Sequence, residues 1–466
     1  MDIRRKIIMS AFLVISAYTY AEDFSEVLTL QQAIQTSLDN YETIKSKNYQ
    51  TESAKENISN SRSMLLPELK FSAQQVYGTA NSVLGPQYGF GEGMTSTSMP
   101  QESQNWDAAF GALYLVNFNW NIFSFGHLKN NIELSKSEYK LRLAELEQEK
   151  FNHQIKVAGA YFNLLAIQQV VEVQKKNVER AEVLLKTVKS LTQSGIKPAV
   201  ELSISEAELA KAKISLLKSK DKEAECSTQL SVLIGSERRI FSLDDIYISN
   251  EPQNLYIDGG FNNEHPSLLQ KQSIIDISRQ KTKLYNTEGL PKINLIGSVA
   301  GRGSGFGSDY MSDHSALSHS YKDGIKISRS NYLLGIGVNW NFTSFIRNRS
   351  KVAAQRYVSK AADIDMQLTN NELKAMVDYA DDKILITQNQ HKESLKQVNA
   401  ASESYKQYMA MYKSGLADIS EVAQVMYALA AAESEEKVLS INIWQSYLLK
   451  VAGNGDIESF LTQINN

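Results

Sequence analysis

The sequence carries one long unit twice, and this duplication limits the possible folds more than any other feature. The run Trp120–Phe125 resembles Trp340–Phe345 at an offset of 220 residues, and Ser194-Gly195 repeats as Ser414-Gly415 at the same offset. A repeat of this length is too long for a solenoid unit, whose period is about 20 to 50 residues. We therefore expect two equivalent halves of one architecture, with two similar domains in tandem as the alternative.

The N-terminus predicts an export signal. A basic cluster at 4–6 precedes an apolar stretch at 7–17, and Thr19 and Ala21 supply small residues at positions −3 and −1 of a cleavage site. This order is typical of a secretory signal peptide. The chain is therefore divided into a signal peptide (1–21), a first repeat (22–235), a linker (236–263), a second repeat (264–455) and a C-terminal tail (456–466).

Composition and motifs exclude several classes of function. The 466 residues carry a net charge of −3 and a single cysteine, Cys226. One cysteine cannot form an intramolecular disulfide framework or a cysteine zinc knuckle, and a near-neutral chain lacks the basic excess that nucleic acid requires. His314 and His319 are close in sequence but lack carboxylate-rich neighbours. No phosphate-binding loop or nucleophile motif occurs, so we expect no enzyme activity, no cofactor and no metal site.

Each half is predicted to run helix, strand, loop, strand, long helix, turn, long helix. The return strands, at 114–122 and 332–342, alternate aromatic or aliphatic residues with asparagine and glycine. The outgoing strands are expected at 69–77 and 293–300. One apolar face suits a transmembrane strand with lipid outside and water inside, although a soluble sheet would show the same period. The residues predicted to face lipid are Val116, Phe118, Trp120, Ile336, Val338 and Trp340.

The helices are predicted to be very long. Residues 127–192 contain no proline and a single glycine, and apolar residues recur at steps of three and four, the spacing of a coiled-coil seam. At 1.5 Å per residue such a helix measures about 100 Å. Glycines 195 and 415 are expected to end helices, and Pro198 fits the first turn of the next one. The pattern predicts two long antiparallel helical hairpins.

Together these features resemble the TolC family of outer-membrane channel proteins. The resemblance rests on the duplicated frame and on the order of its junctions: Leu66-Pro67 and Leu290-Pro291, Trp120–Gly126 and Trp340–Ile346, and the turns at 194–196 and 414–416. The sequence departs from the family at Ile346, where glycine is usual. The resemblance implies a mixed α and β membrane protein. Its long helical hairpins would form a periplasmic α-barrel, and four transmembrane strands per protomer would form a shared 12-stranded β-barrel in a homotrimer.

Physical reasoning favours such an assembly independently. An open sheet edge in lipid leaves backbone groups unpaired, at a cost of several kcal/mol each. Bacterial barrels begin at eight strands, so four predicted strands cannot close alone. Two copies would give a barrel too narrow for a water-filled lumen. Three copies would give the number of strands that the resemblance implies.

The implied function is a passive duct of a tripartite export system, located in the outer membrane and extending into the periplasm. Its implied partners are outer-membrane lipid, a periplasmic adaptor (membrane fusion) protein and an inner-membrane RND or ABC transporter. The cargo stays open between small molecules and a polypeptide of type I secretion. The alternative is a periplasmic coiled-coil scaffold that never inserts.

The resemblance also implies functional roles near the two turns. Glu201 and Glu421 follow the turns at equivalent positions, and acidic residues there line the closed periplasmic entrance of TolC-like channels, where three copies would favour cations. The alternative is a carboxylate placed in a first helical turn by the helix dipole. The predicted adaptor contacts are Ser194, Gly195, Ile196, Ser414, Gly415, Leu416 and Ala417.

Overall fold

The computed structural model describes residues 27–83, 98–237, 240–252 and 264–462. The predicted signal peptide lies outside these residues, as do parts of the predicted linker and of the loop between the first two strands. The helices are α1 (Leu30–Asn40), α2 (Glu42–Ser63), α3 (His127–Gln193), α4 (Ala199–Ile234), α5 (Ile246–Ser249), α6 (Pro266–Glu288), α7 (Tyr321–Ile325), α8 (Phe342–Lys413), α9 (Ile419–Asn454) and α10 (Ile457–Thr462). The strands are β1 (Glu68–Thr79), β2 (Ala108–Phe123), β3 (Lys292–Ser304) and β4 (Arg329–Asn339).

The predicted fold class is confirmed in its protomer: long helical hairpins accompany one small sheet. The strands pair antiparallel in the order β1-β2-β3-β4. The long helix predicted at 127–192 is α3, because nothing in that stretch breaks a helix before Gly195.

The second return strand ends earlier than its alternation predicts. β4 stops at Asn339, and α8 begins at Phe342. The Asn341 side chain causes the break, because its Oδ1 accepts hydrogen bonds from the backbone N–H of Thr343 at 3.1 Å and from its hydroxyl at 2.8 Å. Such a side-chain bond favours a helix start over continued pairing. The prediction that the strand runs to residue 342 is therefore wrong, and Trp340 lies just beyond the sheet.

The pairing register divides the sheet into an apolar face and a polar face. Residues directly opposite in neighbouring strands project to the same side, so the pairs Phe118–Leu69, Val116–Val299 and Ile336–Leu295 share one face. The polar face carries all of the charged residues of the four strands: Glu68, Lys70, Lys292, Arg302 and Arg329. No charged residue of these strands occupies the apolar face.

A loop segment covers the apolar face at its end nearest the strand-to-strand loops. This strap, residues 318–328, includes α7. The Tyr321 hydroxyl donates a 2.7 Å hydrogen bond to Gln75 Oε1. A Cβ on Gly303 would lie 2.6 Å from the carbonyl oxygens of Gly324 and Lys326. The strap therefore rests directly on backbone and requires glycine beneath it.

The described chain forms two compact units that cut across the sequence repeats. The helical unit takes its described residues from 27–41, 150–262 and 374–462, and the sheet unit from 42–149 and 263–373. Each unit therefore contains segments of both repeats. The boundaries of the two compact units therefore differ from those of the sequence repeats.

An aromatic cluster forms the main core of the helical unit. Trp444 packs against Tyr247, Phe162 and Phe460 with ring centroids 5.1 to 6.4 Å apart. The indole Nε1 of Trp444 donates to the Tyr247 carbonyl at 2.9 Å. Burying these rings adds to the hydrophobic stabilisation of the core, and the satisfied N–H avoids a desolvation cost.

Candidate functional site

The two predicted turns have the same backbone geometry. Gly195 and Gly415 adopt left-handed φ values of 71° and 77°. The N–H after each glycine reaches back to close the helix end: Ile196 donates to the Leu191 carbonyl at 2.9 Å, and Leu416 donates to the Met411 carbonyl at 2.8 Å. This is the pattern of a glycine-terminated helix. The predicted turn chemistry is confirmed in both halves.

The helices that follow the turns begin differently. Pro198 precedes α4 and makes no side-chain cap. Asp418 precedes α9 and forms a capping box, in which its Oδ1 accepts from the Glu421 N–H and Glu421 Oε2 accepts from the Asp418 N–H, both at 2.9 Å. Such reciprocal bonds stabilise a helix start. Glu421 is exposed and holds this local role in the single chain.

Glu201 has a different environment, because it joins the two turns. Its Oε2 accepts a 2.6 Å hydrogen bond from the Tyr412 hydroxyl, and its Oε1 lies 3.4 Å from Lys197 Nζ. The same ammonium lies 4.7 Å from the centroid of the Tyr412 ring. Burial, and after it the hydrogen bond to Glu201, raises the pKa of Tyr412, so the hydroxyl stays protonated as the donor. We call Glu201, Lys197 and Tyr412 the tip triad.

Sequence reasoning identified Glu201 but missed its partners. Lys197 is four residues before Glu201 in sequence but lies in the turn before α4, so the helical spacing rule does not predict their ion pair. Tyr412 is separated from Glu201 by 211 residues, so its part in the tip triad follows only from the folded contact. The triad lies over an apolar cluster between the helices: Ala181, Leu184, Val188, Ala212, Met409, Tyr412, Ala417, Ile419, Val422 and Met426.

The seven residues predicted to contact an adaptor differ in exposure. Ile196 and Leu416 are 67% and 74% exposed, although both are large and apolar. The serines and glycines of the two turns are also exposed. Ala417 is buried in the apolar cluster. The turns therefore display two uncovered aliphatic side chains on a fixed backbone, with Ala417 supporting them from within.

The six residues predicted to face lipid fall on or beside a single surface. Val116, Phe118 and Trp120 alternate along β2, and Ile336 and Val338 pair into the same face through β3. Trp340 follows the end of β4 and is 48% exposed. Apart from the strap, this face presents mainly aromatic and aliphatic side chains, with Gln75 and Ser330 as polar exceptions.

The two loop histidines are engaged separately. The rings of His314 and Tyr310 meet edge to face at 5.2 Å, and His319 Nδ1 lies 2.9 Å from the Ala108 carbonyl oxygen. Within the described residues no three or more histidine, cysteine or carboxylate side chains form a group able to hold a metal. No helix in the described parts of the chain combines the length and hydropathy needed to span a membrane.

Comparison with known proteins gives one family match and several structural matches. Residues 33–236 match the outer membrane efflux protein family. Among curated proteins, none matches significantly. The solved structure of CusC aligns with a TM-score of 0.73 at 12% identity, covering 92% of both chains. The Campylobacter jejuni channel CmeC aligns at 0.72 and 14% identity, covering 94% of this chain and 89% of its own.

The Vibrio cholerae outer membrane protein VceC aligns with a TM-score of 0.71 at 13% identity, over 92% of this chain and 96% of its own. At such identities these structures establish a shared fold, and the family match is confined to residues 33–236. The resemblance read from the junctions and turns is confirmed. Residues 33–236 match the outer membrane efflux protein family, and the described chain has the fold of the outer-membrane channels CusC, CmeC and VceC.

Proposed function

We propose that this protein is the outer-membrane duct of an efflux or secretion system, assembled as a homotrimer. The observation that carries the proposal is the division of charge across the sheet: the charged residues of the strands all lie on one face. An apolar outer face and a charged inner face suit strands between lipid and water. The family match and the fold of the related channels support an efflux role.

The unpaired edges of the sheet support the trimer. β1 and β4 are its terminal strands, so each offers a row of backbone groups to another chain. In lipid such groups cost several kcal/mol each when unsatisfied. Pairing β4 of one copy with β1 of the next would satisfy both rows. Three copies would close a twelve-stranded sheet around a lumen wide enough for water.

The exposed turns support docking to a periplasmic adaptor. Ile196 and Leu416 project from rigid glycine turns and remain largely uncovered. Small and aliphatic side chains on a fixed backbone suit an apolar helical partner. The adaptor would join the duct to an inner-membrane RND or ABC transporter, which supplies the energy. The cargo class is small molecules or a secreted polypeptide.

Three measurements test this function. Outer-membrane fractionation of the exported chain should recover it with the outer membrane, and light scattering in detergent should give three chains per particle. In planar bilayers the purified protein should form water-filled pores. A soluble periplasmic protein without conductance would instead establish the scaffold alternative.

Docking is tested separately by Leu416→Asp, which adds a charge to the turn without changing a left-handed residue. We expect lost export with trimers still present in the membrane. Ser420→Asp is the matched control, because Ser420 is also exposed and lies four residues after Leu416, in the first turn of α9. Normal export by Leu416→Asp would contradict docking at this turn.

A further inference from the structure

A cleft of about 440 Å³ lies in the sheet unit where β3 and β4 meet the adjoining helices. Its charged lining consists of Lys292, Arg347, Lys351 and Glu288. The remaining lining residues are mostly amides and a hydroxyl: Leu290, Asn339, Asn341, Ser344 and Asn348. We call this site the basal cleft. Three cations and one carboxylate give it a formal charge of +2.

The basal cleft lies on the polar side of the sheet. Lys292 pairs with Asn339 across β3 and β4. Along β3, Lys292 projects to the same side of the sheet as Asn294 and to the other side from Ile293. Residues alternate faces along a strand, so Lys292 and Asn339 share the face that carries the strand charges. The cleft therefore faces away from the apolar surface.

Much of the positive charge is not neutralised within the chain. Glu288 pairs with Lys351, with Nζ 3.1 Å from Oε2. Among the described residues neither Lys292 nor Arg347 forms an ion pair. Burial, and then the charge of Lys292, lowers the pKa of His127. Two cations beside amide and hydroxyl groups offer charged and neutral hydrogen-bond donors of the kind that anions accept from.

The sequence duplication indicates that this charge is specific to the second half. At the equivalent positions of the first repeat, Glu68 stands for Lys292, His127 for Arg347 and Asn131 for Lys351. If the strand-to-helix junction needed these cations in order to fold, they would occur in both halves. The junction itself forms without these cations, so their presence in the second half needs another explanation.

We propose that the basal cleft binds small soluble anions that carry phosphate or carboxylate groups. Arg347, on α8, would supply a planar pair of donors, and Lys292, on β3, a point charge. In a trimer, three such clefts would surround the lumen and concentrate anionic solutes at the base of the sheet. This role in the passage of anionic solutes through the lumen rests on the proposed duct function, whereas anion binding by the cleft does not.

Equilibrium dialysis of the purified full-length protein in neutral detergent with radiolabelled inorganic phosphate tests the binding. The unmodified protein should retain phosphate, and the double variant Lys292→Gln/Arg347→Gln should bind at least about tenfold more weakly, since charge-assisted hydrogen bonds are lost. Lys70→Gln is the matched control, because Lys70 lies on the same face but already pairs with Glu68 at 2.9 Å. It should bind like the unmodified protein.

Two results would overturn the proposal: no phosphate retained by the unmodified protein, or equal loss in the double variant and in Lys70→Gln. A third arm replaces phosphate with neutral-detergent micelles containing phosphatidylglycerol. Charge-dependent retention of this lipid without retention of phosphate would also overturn the assignment to a soluble anion. Conductance is measured on the same samples. If the protein binds phosphate but forms no pore, the proposed duct function is wrong and the proposed anion site is supported.

Discussion

The indole Nε1 of Trp120 donates a 2.8 Å hydrogen bond to the carbonyl oxygen of Leu65. Trp340 makes the equivalent bond to Gly289 at 3.1 Å in the second half. Each bond ties the end of a return strand to the residue two positions before the proline that precedes the outgoing strand. The duplication thus preserves a specific tertiary contact, although the two acceptors differ in residue type.

Removing this bond should weaken the junction in either half. We expect Trp120→Phe and Trp340→Phe each to lower the free energy of unfolding by about 1 kcal/mol, because a neutral hydrogen bond contributes about that much and the ring is largely kept. Heat denaturation in detergent, followed by circular dichroism, measures the change. Trp106→Phe is the control, since Trp106 is 80% exposed. Equal shifts in all three variants would show that the bonds contribute nothing specific.

Much of the fold was predictable from local sequence. The long helix α3 matches its predicted span to within one residue at its end, because proline is absent and Gly195 terminates it. The two faces of the sheet follow from simple alternation. The end of β4 was not predictable in this way, because Trp340 and Phe342 continue the alternation past the point where Asn341 starts a helix.

Contacts between distant segments explain the rest of what sequence reasoning missed. The strap was not predicted, since its packing depends on Phe110, about 210 residues away in sequence, and on the way Gly303 of β3 passes beneath it. The tip triad needed Tyr412 beside Glu201, and no local pattern joins them. At the two turns, the backbone geometry and the position of each carboxylate were predictable from the sequence. The hydrogen-bond partners of Glu201 and Glu421 were not.

The tip triad should stabilise the two turns against local opening. We expect Tyr412→Phe to accelerate hydrogen exchange of backbone amides at both turns by about tenfold or more, because a hydrogen bond to a charged group contributes about 1.5–3 kcal/mol. Mass spectrometry of exchange in peptides covering each turn measures this. Tyr408→Phe is the matched control, since Tyr408 lies one turn away on α8 and is half-buried. Unchanged exchange in Tyr412→Phe would contradict the stabilising role.

The role of Glu421 in the pore can be separated from its role in the capping box. Glutamine at the third helical position keeps the reciprocal hydrogen bond but removes the charge. If three copies of Glu421 line the entrance, Glu421→Gln and Glu421→Ala should both reduce cation preference in bilayer conductance. If Glu421 only caps α9, Glu421→Ala alone should alter the channel, through a cap weakened by about 1 kcal/mol. Reversal potentials in a salt gradient distinguish the two outcomes.

The strap should depend on the absence of a side chain at position 303. A Cβ there would meet two backbone carbonyl oxygens at 2.6 Å, so we expect Gly303→Ala to cost about 1–3 kcal/mol or to displace the strap. Gly78→Ala is the control, because nothing lies within 4 Å of the added carbon. Limited proteolysis at the lysines of the strap, together with melting temperature, measures both effects. If Gly303→Ala and Gly78→Ala have the same melting temperature and the same resistance to proteolysis, the strap shifts to accept the added carbon without cost.

The lowered pKa of His127 should make the junction sensitive to acid. Burial and then Lys292 favour the neutral ring, while Glu288 acts in the opposite direction. Between the usual value, about 6.5, and the lower folded value, the unfolded chain binds the proton more readily. The stabilising contribution is therefore complete above pH 6.5 and is lost as the pH falls through that window.

We expect Lys292→Gln to raise the pKa of His127 in an NMR titration. We also expect His127→Gln to flatten the profile of unfolding free energy against pH between pH 7 and 5.5. Lys70→Gln, on the same face, should leave the titration unchanged. A His127 pKa that does not respond to Lys292→Gln would contradict an electropositive basal cleft.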